Sequence, residues 1–296
     1  MTRLVERMRP DGAAAARIDP PEEAGRIDVG FARAEDGRTY LDRQFASYPF
    51  HLCRPHHFAG DPPGMATLYL QSCAGGIYKG DRLGAHIVAG DGAQAHVTTQ
   101  AATIVHDGEG EDAIQETVLE ARAGSLLEYL PDPLVLFPGA SLSTRLRARV
   151  HERAALVLGD SFIPHDPDGR GRMFDRLDAE IWVENEDGRP LARDRFDLRG
   201  SLLAVALPGV NGTFMAQGTV FVVGRTRPAE TTAAALREAL EGIGGLYAGA
   251  STLPNGCGAV ARLLAADGVA LRAGMGAAWA AARRSLVGGT PAPRRK

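Results

Sequence analysis

The amino-acid sequence predicts a mainly β protein: a two-layer β-sandwich or β-helix-like stack of many short strands, with two helices in the C-terminal region. Three observations carry that expectation. Short segments alternate apolar and polar residues with period two, the mark of a half-buried strand. Glycine, proline, asparagine and aspartate punctuate them about every 8–12 residues. Apolar residues at helical spacing appear only beyond Glu230.

Residues 1–24 are rich in Ala, Pro, Arg and Glu without a period, and read as a mobile tail ahead of one domain spanning 25–290. Ile27, Val29 and Phe31 alternate as a strand, Asp36-Gly37 turns the chain, and 39–45 returns. Segment 51–64 is loop, and 67–72 is a short apolar strand. Further strands are expected at 83–89, 93–99, 114–120, 126–130, 142–150, 156–162, 179–183, 202–207 and 213–223. The clearest carries Leu142, Thr144, Leu146, Ala148 and Val150, with Ser143, Arg145, Arg147 and Arg149 between them on a face expected in water. A helix over 230–243 puts Leu236, Leu240 and Ile243 on one stripe, and Gly244-Gly245 stops it. A second, over 269–286, carries Leu271, Met275 and Trp279 at spacings of four. The basic tail, 291–296, reads as a solvated terminus.

Composition bounds the function. The chain has 296 residues, 45% of them hydrophobic, enough to bury a sizeable core. A net charge of -3 offers no basic field for nucleic acid. Three dispersed cysteines with no CxxC pair suggest neither a disulfide framework nor a structural zinc site. The N-terminus lacks the apolar core of a secretory signal, and no apolar run is long enough for a membrane helix. A cytoplasmic location is the expectation.

No catalytic motif is present: no GxSxG elbow, Walker A loop, HExxH or dinucleotide fingerprint. Gly75-Gly76-Ile77-Tyr78-Lys79-Gly80-Asp81 resembles a phosphate loop but lacks the closing Gly-Lys-Ser/Thr and the helix that would follow it. A Gly-permitted turn is the simpler reading, with Asp81 bonding backbone N–H groups. His51, Cys53, His56 and His57 crowd one loop and suit nickel, copper or zinc. A loop rich in histidine is more often simply solvated than a metal site. Leu83, Ala85, Ile87 and Ala89 share odd parity with Ala93, Ala95 and Val97, so both sets face one core. A three-residue turn, Gly90-Asp91-Gly92, would then pair the strands as a hairpin and set His86 opposite His96. The two imidazoles would be a candidate metal pair or two solvated side chains.

Gly75-Gly76, Gly80-Asp81, Thr98-Thr99-Gln100-Ala101-Ala102-Thr103, Glu128-Tyr129-Leu130-Pro131-Asp132-Pro133, Gly169-Arg170, Arg193-Asp194-Arg195, Pro254-Asn255-Gly256-Cys257-Gly258 and Trp279 form an ordered set. That set resembles the UreD (UreH) family of urease accessory proteins over roughly residues 25–290. The resemblance implies a chaperone scaffold without turnover that binds apo-urease and recruits UreF and, through it, the GTPase UreG for nickel insertion. It implies no tightly bound cofactor, nickel in transit at most, and leaves room for a homodimer within the complex. Some members are proposed to pass nickel through an internal tunnel. Two departures stand out: Lys79, where a small residue is common, and Gly171-Arg172-Met173-Phe174-Asp175, where a Gly-Glu pair commonly precedes an aromatic. Asp175 is the candidate substitute for that glutamate. A β-fold metal-dependent hydrolase using Cys53, His56 and His57, or a plain interaction domain, are the alternatives.

Overall fold

The computed structural model describes residues 25–224 and 227–294. The expected tail 1–24 and residues 295–296 lie outside the described residues. The chain opens with a hairpin of β1 (Gly25–Arg33) and β2 (Thr39–Ala46), turned at Gly37 with φ of 85°. Next come β3 (Phe50–Leu52), β4 (Ala66–Ser72), β5 (Arg82–Ala89), β6 (Gln94–Thr99) and β7 (Thr103–Val105). The middle holds β8 (Ala113–Ala121), β9 (Leu126–Tyr129), β10 (Leu134–Leu136), β11 (Ser141–Val150) and β12 (Ala155–Pro164). A hairpin of β13 (Arg176–Asn185) and β14 (Pro190–Leu198) leads to a short α1 (Gly200–Ala204) and β15 (Ala216–Val223). The chain then runs through α2 (Ala229–Leu240), β16 (Leu246–Thr252), β17 (Gly258–Ala265) and α3 (Gly268–Val287).

Through the middle, successive long strands cross between two facing sheets, so each pairs in parallel with a strand one coil away. The first sheet runs β14-β13-β11-β8-β5-β1-β2 and the second β16-β17-β15-β12-β9-β6-β4-β3. Antiparallel strands close both ends of each stack, and β7, β10 and the end of β12 add a short third face. The expected β-helix-like stack is therefore observed. Ala85, Ile87 and Ala89 of β5 do share one core between the sheets with Ala93, just before β6, and with Ala95 and Val97 of β6. The hairpin does not form, because β5 pairs with β1 and β8 while β6 pairs with β4 and β9. Parity demands a common core, and two strands facing each other across that core satisfy it as well as two side by side. His86 and His96 consequently sit on opposite outer faces of the molecule, and their proposed pairing is overturned.

Three other expectations change. Segment 202–207 is not a strand. α1 ends there, and Asn211 holds the following loop by accepting from Leu207 N (3.1 Å) and donating to Leu203 O (2.9 Å). Such side-chain bonds compete with a ladder. The arginines of β11 are not simply solvated, since Arg145 bonds Asp178 (2.6 Å) and Arg149 bonds Glu184 (2.9 Å) on neighbouring β13. The C-terminal segment is packed, not free: Ala292 is buried, and Arg294 is 7% exposed against Asp61.

α3 starts where Asp267 accepts from Val269 and Ala270 N–H (2.9 and 2.8 Å), and stops at Gly288 with φ of 78°. α2 and α3 cover the outer face of the second sheet, burying Val220, Val222, Ala261 and Leu263 against Leu236, Leu240 and Ala278. β3, β7, β10, β14, β16 and β17 had no counterpart among the expected strands.

Candidate functional site

The glycine loop, the Thr98–Thr103 run and the Glu128–Pro133 run lie far apart in sequence and meet at one mouth of the space between the sheets. Gly76 lies so close to the Ile104 carbonyl that a Cβ would collide with it, and its φ of 153° favours glycine. Gly80 (φ 85°) and Asp81 build the turn expected of them, with Asp81 accepting from Tyr78 N–H at 2.8 Å. Thr99 Oγ1 accepts from Asp132 N–H (2.9 Å), fastening the second run to the third. Gln100 N–H donates to Leu70 O (3.0 Å).

Behind this mouth lies a cavity of about 240 Å³ lined by Gly75, Gly76, Thr99, Gln100, Gln115 and Tyr129. A smaller one of about 70 Å³ shares Thr99, Thr103, Gln115 and Tyr129 with it, and reaches Thr117, Pro131, Asp132 and Asp160. Four shared lining residues make the adjoining cavities one region lined by hydroxyl, amide and carboxylate oxygens in an otherwise apolar core. Asp160 is the sharpest group on it. Burial and the nearby Asp194 push its carboxyl up to about 6, against a backbone hydrogen bond at Ser161. No ion pair to Asp160 exists among the described residues. Burial raises the Tyr129 hydroxyl, partly offset by its hydrogen bond with Thr117. An unpaired carboxylate in an enclosed space is costly unless it is wet, protonated or holding a cation. Carboxylate, hydroxyl and amide oxygens suit a divalent ion in passage. Among the described residues, no group of three or more His, Cys, Asp or Glu is placed to hold a metal ion.

The outer face of the same sheet carries a second buried polar group, under α3. Glu128 accepts from His96 Nδ1 (2.9 Å), Trp279 Nε1 (2.9 Å) and Arg283 Nε (2.8 Å), and from Arg283 Nη2. Arg283 also reaches Asp61 Oδ1 (2.5 Å), which accepts Ala292 N–H (2.9 Å) as well. Arg294 donates to the other Asp61 oxygen (2.8 Å). Both carboxylates and Arg283 have no exposed side-chain surface. The His96 ring stacks on Trp279 at 4.6 Å, and both guanidinium groups lie about 5 Å from that indole. Burial would raise the Glu128 carboxyl, but hydrogen bonds from His96 and Arg283 hold it at about 2. Burial lowers His96, so its ring is neutral at pH 7. Two carboxylates and two guanidiniums thus balance with every charge bonded.

The remaining candidates are scattered. His86 lies on the outer face of the first sheet between Asp28 (3.3 Å) and Glu120 (3.1 Å). His51 meets Gln71 (3.1 Å), His57 meets the Thr39 carbonyl (2.9 Å), and His56 packs on Phe58, so the His/Cys loop does not converge. Gly169 and Arg170 belong to a loop gathered on Asp166, which accepts Arg170 and Arg172 N–H (both 3.0 Å). The two departures meet each other: Lys79 Nζ is 2.8 Å from Asp107 and 3.5 Å from Asp175. Asp194 bonds Arg262 (2.8 Å), tying the two sheets together. Pro254 and Asn255 form a short turn, and a Cβ at Gly258 would strike the Val222 carbonyl.

Asp61, Asp160, Arg283 and Arg294 were missed. Two of them left a signal. Arg283 continues the stripe Leu271, Met275, Trp279 by one more step of four, and Asp160 interrupts the inward set Leu156, Leu158, Phe162. A charge in an apolar position is the informative exception.

No helix among the described residues is long and apolar enough to cross a membrane. Residues 23–296 match the family described as UreD urease accessory protein. The chain is 41% identical over 277 residues to urease accessory protein UreD 1 of Pseudomonas syringae pv. syringae (strain B728a), covering 94% of this chain and 97% of the relative. It is 41% identical over 288 residues to urease accessory protein UreD 1 of Methylorubrum extorquens (strain PA1), covering 97% of each. With urease accessory protein UreD 2 of Bradyrhizobium sp. (strain ORS 278) it shares 35% over 264 residues, 89% of this chain and 91% of the relative.

Proposed function

Since the chain belongs to the UreD family of urease accessory proteins, we propose that it is a scaffold without turnover that binds apo-urease, recruits UreF and the GTPase UreG, and gives nickel a path toward the urease active site. The observation that carries this reading is the pair of adjoining polar-lined cavities between the sheets, walled by all three long motifs and by Asp160. Oxygen donors spaced along these cavities, without a closed cage, favour passage over storage. The groups of the His51–His57 loop point to separate partners, so nothing there favours a metal-dependent hydrolase.

The test deletes the gene in a strain with no second copy, and measures urease activity and nickel per urease. Loss of both, restored by the wild-type chain, is expected. Wild-type nickel content in the deletion strain would end the proposal. A narrower test installs Thr99→Phe, which blocks the shared wall of the two cavities. Nickel loading is expected to fall while the chain still co-purifies with its partners.

A further inference from the structure

The two sheets have four terminal strands, and three of them are guarded against pairing with another chain. β2 carries Asp42 and Arg43, β14 carries Pro190, Arg193, Arg195 and Asp197, and β3 is three residues long. Charge, proline and brevity are the ordinary protections of an edge. β16, Leu246-Tyr247-Ala248-Gly249-Ala250-Ser251-Thr252, has none of them. It is uncharged, lacks proline and runs in unbroken register with β17 from Leu246↔Ala265 to Thr252↔Ala259. Among the described residues, one hydrogen bond reaches its outer edge, from Leu246 N–H to Ile243 O (3.3 Å) in the turn that enters the strand, and none reaches the edge groups of Ala248, Ala250 or Thr252.

The surroundings leave this edge open. The second sheet overhangs the first, which ends at β14, and the inner face of β16 and β17 forms an open groove of about 510 Å³. Tyr247 stands 68% exposed on that ledge, beside Phe214 at 6.1 Å. Gly249, at the middle of the strand, has nothing within 4 Å of where a Cβ would be. Arg262 beneath it is already engaged by Asp194 of the facing sheet (2.8 Å), which pins the ledge in place.

We propose that β16 is an interface between two copies of this chain, paired antiparallel about a two-fold axis at Gly249. The strand is complementary to itself about that residue. Ala248 falls opposite Ala250, Tyr247 opposite Ser251 and Leu246 opposite Thr252, and no like charges meet. An axis perpendicular to the sheet keeps inner face beside inner face, so the two ledges become one continuous floor. Seven residues of edge are about 24 Å of strand. That is less contact than a permanent dimer buries, so the association is reversible, in the micromolar range.

Sedimentation velocity of the purified full chain, from low to high micromolar, tests this. The wild-type chain is expected to shift from monomer to dimer with concentration. Gly249→Lys is sterically free and sets like charges face to face on the axis, so it should weaken the dimer about tenfold or more. Gly249→Glu alone should do the same. An equimolar mixture of the two variants should recover a dimer, which a merely misfolded strand could not do. Tyr247→Glu gives a second, independent disruption. Unchanged circular dichroism and melting temperature establish that each variant is folded. A wild-type chain that stays monomeric throughout overturns the proposal. So do variants as dimeric as the wild type, or a mixture that fails to associate. Protection of the β16 amides only by a different protein would likewise assign the edge to that partner.

Discussion

Glu128 and Asp160 stand on β9 and β12, which are hydrogen-bonded neighbours in one sheet, and they project from its opposite faces. Glu128 has no exposed surface, and Asp160 is half-buried where it lines the smaller cavity. Glu128 receives hydrogen bonds from an imidazole, an indole and a guanidinium, and its carboxyl is held at about 2. Among the described residues Asp160 receives only a backbone bond, and burial together with the like charge of Asp194 pushes its carboxyl up to about 6. The same residue chemistry thus holds the molecule together on one face and leaves an unsettled charge on the other. Burial by itself does not distinguish the two roles; the partners do.

The largest expected effect breaks the satisfied side. Arg283→Ala leaves Glu128 and Asp61 buried without their shared cation and should cost about 3–5 kcal/mol in urea unfolding. Replacing Glu128 and Arg283 together by Gln and Met should cost well under the sum of the two single changes, because no uncompensated charge remains.

Asp160→Asn works in the opposite direction. A carboxyl raised in the folded state stabilises it below the unfolded value of 3.8, and that contribution is lost as pH rises through about 6. The amide should therefore add about 1–2 kcal/mol at pH 7 and nothing near pH 3.5. It should also lower nickel loading of urease, and a gain in stability paired with a loss in loading separates a working group from a structural one. A variant that destabilises the chain at pH 7 would mean the comparison is wrong.

Acid unfolding sharpens the contrast further. Glu128 has a depressed value, so its stabilisation is present above 4.5 and is lost as pH falls toward about 2. The wild-type chain should lose stability across that window, and Glu128→Gln should flatten the curve there. The smallest effect belongs to Lys79→Ala. Its partners Asp107 and Asp175 are 58% and 61% exposed, and the change should stay within about 1 kcal/mol by thermal melting.

Much of this architecture was legible because period two marks strands directly. The parity of Ala85–Ala89 and Ala93–Val97 correctly assigned one shared core, while Leu83, grouped with them, packs in a separate cluster with Ile77 and Leu136. It could not say whether the strands lie side by side or face to face, since parity reports the face and not the neighbour. β16 was invisible because Ala248, Gly249 and Ala250 are too small to show an apolar alternation. The cavity motifs were readable as a set, and their convergence was not, because strands from separate coils build it. Asp61 and Arg294 sit in loop and terminus, where pattern carries no weight, and only the fold reveals their bond.

The lock on the outer face also sets a timetable for biosynthesis. Glu128 is bonded to a residue 155 positions later, and Asp61 to residues 222 and 233 positions later. At ribosomal speeds of about 5–20 residues per second, Asp61 waits roughly 10–45 s for its first cation. Through that interval the parallel coils exist as nascent chain with their outer face uncovered and their strand edges open. Newly made protein is therefore most in need of a protecting partner just before synthesis of α3 is finished.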